Sequence, residues 1–174
     1  MEPTRRIVLT GGPGAGKTTL LDELARCGFR IVPEAARAVL RQAGGLELRA
    51  RDPDGFAEAI LQRELERFEI AEPGEGAAFF DRGLGDLASM PVMASDLRER
   101  ISGAVASHRY EGPIFRAPAW RAIYRQDSER TQSWEEAVAS DMAVTAAWRA
   151  AGYDVIDLPL TTPQDRASFV LGLL

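Results

Sequence analysis

Two textures alternate along the chain: short runs of β-favouring apolar residues, and longer stretches in which apolar residues recur at helical spacing. That alternation is the mark of an α/β protein built on a parallel sheet. Strands are predicted over residues 6–10, 29–32, 77–81, 113–116 and 153–158, with Pro33 and Pro159 stopping the second and fifth. Helices are predicted over 18–27, 34–42, 56–71, 96–107, 133–151 and from 163 to the C-terminus. Phe56, Ile60, Leu61, Leu65 and Phe68 form one stripe, with Asp52 as a cap and Pro53 in the first turn. Ser133 with Glu135 and Glu136 reads as a capping-box start. Cys27, on the stripe of the first helix, is expected in the core. So are Trp134 and Trp148, close to four turns apart, whereas His108 is expected at the surface. No repeat or long linker interrupts the pattern, so residues 1–174 read as one domain.

Composition narrows the chemistry. One cysteine and one histidine exclude a disulfide framework and a zinc cluster. A net charge of −5 argues against general nucleic-acid binding. No apolar run is long enough to span a membrane and the first residues lack a signal-peptide pattern, which together imply a cytoplasmic protein. Of the 21 basic side chains only Lys17 is a lysine.

That lysine sits in the segment GGPGAGKTT, directly after the first strand and before LLDELAR. Gly11, Gly16, Lys17 and Thr18 fill every fixed position of the Walker A pattern in the context it requires. A strand leads into a turn whose amides point inward, and a helix N-terminus presents unpaired N–H groups to an anion. Gly12, Pro13, Gly14, Ala15, Gly16, Lys17, Thr18 and Thr19 are therefore the expected nucleotide-binding residues. Lys17 would reach the β- and γ-phosphates and the Thr18 hydroxyl a magnesium ion. The glycine spacing does not fit the dinucleotide fingerprint, which favours a nucleoside triphosphate over NAD.

Sites in such sheets form at the carboxyl ends of the strands. The third strand ends in Asp81-Arg82, and Asp81 fits a magnesium-holding acid; its structural alternative is a turn or N-cap aspartate. The second ends at Glu34, a candidate base for an acceptor hydroxyl, with Arg37 one turn on as a substrate ligand; the alternative is an ordinary helical ion pair. After the fourth strand, Arg116, Arg121, Arg125 and Arg130 populate a segment over 116–131 that reads as a lid. Arg125 and Arg130 are the first choices to neutralise transferred charge, against a solvated basic helix or an Asp127–Arg130 pair.

The strand into TGGPGAGKTTLL, the endings VPEAAR and FFDRG, and the C-terminal YDVIDLPLTTPQDRASFVL together resemble the small AAA-type P-loop family that includes the ribosylnicotinamide kinase domain of bacterial bifunctional NAD regulators. The resemblance implies a P-loop NTPase fold of nucleoside- or nucleotide-kinase type. Its five-stranded parallel sheet would have order 2-3-1-4-5, flanked by helices. It implies ATP and magnesium as cofactors and a lid after the fourth strand; Arg37 and Arg82, in the Glu34/Arg37 and Asp81/Arg82 stations that carry it, are the candidate substrate-binding residues. The expected activity is ATP-dependent phosphotransfer to a small nucleoside- or nucleotide-like acceptor. A regulatory switch or ATPase responding to ATP or GTP, with a protein partner, is the alternative, and oligomeric state is left open.

Overall fold

The computed structural model describes residues 5–70, 76–126 and 132–174. Its order is β1 (Arg5–Gly11), α1 (Lys17–Arg26), β2 (Arg30–Val32), α2 (Ala35–Arg41), α3 (Gly45–Arg51), α4 (Pro53–Ile70), β3 (Ala77–Asp81), α5 (Leu84–Ala88), α6 (Ser95–Ser107), β4 (Ile114–Ala117), α7 (Trp134–Ala150), β5 (Val155–Asp157) and α8 (Pro163–Leu171). The five strands form one sheet in the order β2-β3-β1-β4-β5, as the family resemblance implied. Every pairing is parallel, and the register sets Leu9 opposite Asp81 on one side and Phe115 on the other.

Both faces of the sheet are covered, so the central strands are apolar throughout rather than alternating. Side chains still alternate between faces. Ile7, Leu9, Phe79 and Phe115 join Leu20 and Leu24 of α1 and Val170 of α8 in one core. Val8, Ala78, Phe80 and Ile114 join Phe56, Ile60 and Leu61 of α4 and Trp148 of α7 in the other. This packing fixes β1 at the centre, and therefore fixes where the loop after it emerges.

Several local expectations are met. Glu136 N donates to Ser133 Oγ at 3.1 Å and Ser133 N to Glu136 Oε2 at 2.7 Å, which closes the capping box of α7. The Thr162 hydroxyl caps α8, with Pro163 in its first turn. Others are corrected. The predicted helix over 34–42 ends at Arg41 as α2, but Gly44, at φ 79°, then caps α3, a helix not foreseen. Helix α1 stops at Arg26, so Cys27 falls in the following turn and is exposed rather than core. Trp148 is fully buried, but Trp134 is only half-buried, its ring set edge-on 5.4 Å from Tyr124. His108 is likewise half-buried, edge-on to Phe68.

Candidate active site

The loop between β1 and α1 wraps the end of the central strand. Gly14 at φ 70° and Gly16 at φ 84° adopt left-handed conformations that a side chain disfavours. A Cβ on Gly14 would also stand 2.9 Å from the Tyr124 ring, so glycine is required there twice over. The loop thereby presents backbone rather than side chains to the space above it. Thr18 and Thr19 open α1 on the exposed side, and Thr19 Oγ1 donates to Gly16 O at 2.9 Å.

Lys17 is buried beneath this loop, its Nζ donating to Gly12 O at 2.8 Å and Gly11 O at 3.1 Å. Burial, helped by the nearby Arg82 charge, lowers its pKa to about 7. Asp81 closes β3 beside it. Its carboxyl is pushed up by burial, with Lys17 opposing, and its buried Oδ1 has no hydrogen-bond partner. An under-charged ammonium and an unpaired carboxylate oxygen are what a site looks like when its polar groups are set for a polyanion and a cation. Magnesium fits this donor set: the hydroxyl of Thr18 and the carboxylate of Asp81 are hard oxygen ligands. Among the described residues no cluster of three or more potential metal-ligating side chains exists, so phosphate oxygens and water would complete the shell.

Glu34 follows β2 and lies between two arginines, of which Arg37 was the expected partner and Arg82 was not. Arg82 Nε is 3.4 Å from one of its oxygens and Arg37 Nε 3.8 Å from the other. Arg82 also donates from Nη1 to Gly11 O at 3.0 Å and to Asp86 Oδ1 at 3.1 Å. Burial opposes its charge, but Asp86, Glu34 and Asp81 together raise its pKa, so it stays a cation. Its φ of 62° is unusual for a side-chain-bearing residue, and strain of that kind persists only where neighbours hold it.

The holder is Asp86, which sequence reasoning passed over. Its Oδ1 accepts from Thr10 Oγ1 at 2.6 Å as well as from Arg82, and its Oδ2 accepts from Gly83 N and Trp148 Nε1, each at 3.0 Å. Arg67 of α4 was also passed over. It donates to Val32 O at 3.1 Å and Asp81 O at 3.0 Å, bridging the ends of β2 and β3. Its partner is the buried Glu64, at 2.6 Å. Arg166 of α8 is a third omission: it donates to Ala15 O and Pro159 O, both at 2.8 Å, and lies over the Trp120 ring at 5.1 Å. Arg166 shares the buried stripe of Ala167 and Val170, and an arginine on such a stripe is the signal that could have found it.

The arginine-rich segment after β4 divides. Arg116 belongs to the strand, where the 113–116 prediction has it, bonded to Asp141 at 3.0 and 2.9 Å and to Asp157 at 3.2 Å. Arg121 sits over the Trp134 ring, and Arg125 is exposed, donating to Tyr124 O and Ala122 O. Arg130 lies outside the described residues, as does Asp127. What this segment does place at the loop is Tyr124 against Gly14, with Trp120 and Ile123 on the cavity wall.

The phosphate loop, Glu34, Arg37, Asp81, Arg82 and Arg166 line one cavity of about 1090 Å³ that reaches α2 and α3, whereas Asp86, Arg67, Arg116, Arg121 and Arg125 do not line it. Thr161, Thr162 and Pro163 also line it. No helix among the described residues is long and apolar enough to cross a membrane.

The fold is shared with deoxyadenosine kinase from M. mycoides solved with bound dATP, at TM-score 0.69 and 14% identity over 96% of this chain and 97% of that one. It is shared also with the NadR protein in complex with NR, at TM-score 0.72 and 19% identity; there 98% of this chain covers 51% of the other. No curated protein matches the chain. An AAA-domain family model matches residues 6–166, spanning the phosphate loop, both carboxylate stations and Arg166, and the chain belongs to that family.

Proposed function

We propose that the protein is a magnesium- and ATP-dependent phosphotransferase acting on a small nucleoside- or nucleotide-like acceptor. The observation that carries this reading is the convergence on one cavity, large enough for two ligands, of Lys17 at the start of α1, Asp81 at the end of β3 and Glu34 just past the end of β2. A binding module needs the phosphate loop alone. A carboxylate on the far side of the γ-phosphate position, with open space beyond it, suits an acceptor.

In this reading the loop amides and Lys17 hold the β- and γ-phosphates, and Arg82 faces the charge that spreads over the transferred group. Thr18 and Asp81 would hold a magnesium ion, which would supply further charge neutralisation on the phosphates. An acceptor hydroxyl oxygen attacks the γ-phosphorus while its proton passes to the Glu34 carboxylate. The bond from that phosphorus to the bridging oxygen breaks, and ADP leaves with the electron pair. Arg37 and Arg82 hold Glu34 in place and line the acceptor's path. The likeness to a deoxyadenosine kinase and to NadR with NR supports a nucleoside-like acceptor.

The test is ADP release over a panel of nucleosides, nucleotides and ribosylnicotinamide. At least one acceptor is expected to raise release above the ATP-only rate. If none does while ATP still binds, the phosphotransferase reading fails and a nucleotide-dependent switch takes its place.

A further inference from the structure

The charge on the cavity wall exceeds what a triphosphate needs. In a chain of net −5, the cavity is lined by six cations, Lys17, Arg37, Arg41, Arg49, Arg82 and Arg166, against two carboxylates, Glu34 and Asp81. These cations fall into two groups. Lys17, Arg82 and Arg166 each donate to a carbonyl of the phosphate loop or the residue before it, so they belong to the triphosphate end. Arg37, Arg41 and Arg49 stand on α2 and α3, on the other side of Glu34.

The second group has few obligations of its own. Arg37 makes only the 3.8 Å contact with Glu34, and among the described residues neither Arg41 nor Arg49 has a hydrogen bond or a carboxylate partner. The one other arginine on these helices, Arg51, is engaged with Glu47 at 2.9 Å. Arg37 and Arg41 are one helical turn apart, so two guanidinium groups succeed one another along the wall, and Arg49 adds a third from the adjoining helix. Leu40 and Leu46 line the same end, and Leu46 is 71% exposed, an apolar surface awaiting cover. Guanidinium forks match the geometry of phosphate and carboxylate oxyanions. Uncompensated, they repel one another and would not favour a cationic occupant.

Building on the phosphotransferase reading, we infer that the acceptor carries its own oxyanion: a small molecule with a hydroxyl that meets Glu34, an apolar or planar body over Leu40 and Leu46, and a phosphomonoester or carboxylate bound by Arg41 and Arg49. The reaction then phosphorylates an acceptor that is already anionic, rather than a neutral nucleoside. Transfer is the same displacement as before: hydroxyl oxygen to γ-phosphorus, proton to Glu34, ADP departing with the bond pair. The distant oxyanion takes no part in bond making and serves to align the hydroxyl.

The experiment uses matched acceptor pairs differing only in the anion. Nucleosides are set against their 3′- and 5′-monophosphates, and small hydroxy acids against their amides, so that phosphate and carboxylate are told apart. The expected kcat/KM for the anionic member is about a hundredfold above its neutral partner, the size of effect two charge-assisted contacts give. In Arg41→Ala/Arg49→Ala that preference is expected to fall to about tenfold or less, through KM with kcat nearly kept. Both side chains are exposed, so folding is preserved, and Arg41→Lys/Arg49→Lys is expected to recover part of the preference through charge alone. Calorimetric titration of nucleoside monophosphate into protein saturated with a non-hydrolysable triphosphate reads the same site without turnover. Heat is expected for the wild type and its loss for the alanine double variant. Neutral nucleosides turned over as well as their phosphates, or a double variant with unchanged preference, would overturn the inference and leave the phosphotransferase reading standing. No acceptor of either kind raising ADP release would remove both.

Discussion

The indole of Trp148 donates to Asp86 Oδ2 at 3.0 Å, tying the last turn of α7 to the carboxylate that holds Arg82 in the active site. Asp86 takes four donors and is almost fully buried, so its removal strands Arg82, Thr10 and the indole together. Asp86→Ala is expected to cost about 3–5 kcal/mol of stability, the range for breaking one partner out of a buried charged pair. A urea titration followed by tryptophan fluorescence measures this. A loss under 1 kcal/mol, on the order of a surface substitution, would mean that the network does not carry the load its geometry implies.

Lys17 gives a pH signature that can be worked out in advance. With its pKa near 7 in the empty site, the amine is mostly neutral at pH 8, whereas a bound triphosphate favours the ammonium. Nucleotide binding between about pH 7.5 and 9 is therefore expected to take up a proton, and affinity to fall as pH rises through that window. Calorimetry in two buffers of different ionisation enthalpy reads the uptake directly. Lys17→Ala should abolish it and weaken binding about a hundredfold or more, close to 3 kcal/mol, with little change in melting temperature.

How much of this was legible in advance depends on the range over which each cause acts. The phosphate loop was readable because its requirements are local: left-handed turns at Gly14 and Gly16, then a helix start, all within a few residues. Asp81 and Glu34 were readable because strand ends in parallel sheets point at the site. Asp86 and Arg67 were not, because their roles are fixed by partners far along the chain, Trp148 and Val32 among them; Arg166 left a trace in its buried helical stripe, but its partner Ala15 did not. Arg116 falls in the fourth strand, as the 113–116 prediction has it, but nothing near it in sequence announces Asp141, which neutralises it across the fold. Helix α3 escaped because a glycine pair is an equally good sign of a stop and of a left-handed cap.

Glu64 supplies a stability test separate from turnover. Burial pushes its carboxyl up to about 7 in spite of Arg67, and its Oε2 has no partner. The folded pKa lies above the ordinary carboxylate value of 4.5, so the folded state holds the proton more tightly than the unfolded chain. Its contribution is complete below that ordinary value and is lost as pH rises through about 7. Glu64→Gln keeps an oxygen for Arg67 and removes the titration, so stability at pH 8 relative to pH 5 is expected to improve by about 1–3 kcal/mol. Thermal melts at the two pH values check the sign, which reverses if the carboxylate is ionised in the folded protein.

Asp81→Asn separates metal holding from nucleotide holding. The orphaned Oδ1 is buried next to Lys17, and an amide there keeps the shape while losing the charge that a divalent cation seeks. Binding of triphosphate without magnesium is expected to change less than threefold, or even to tighten, since one negative charge near the phosphates is gone. Magnesium's enhancement of that binding is expected to shrink about tenfold or more, and turnover with it. Titrations with and without the metal, on the same preparation, give both numbers. An unchanged magnesium enhancement would return Asp81 to a purely structural role at the end of β3 and leave Thr18 as the chain's metal-holding oxygen.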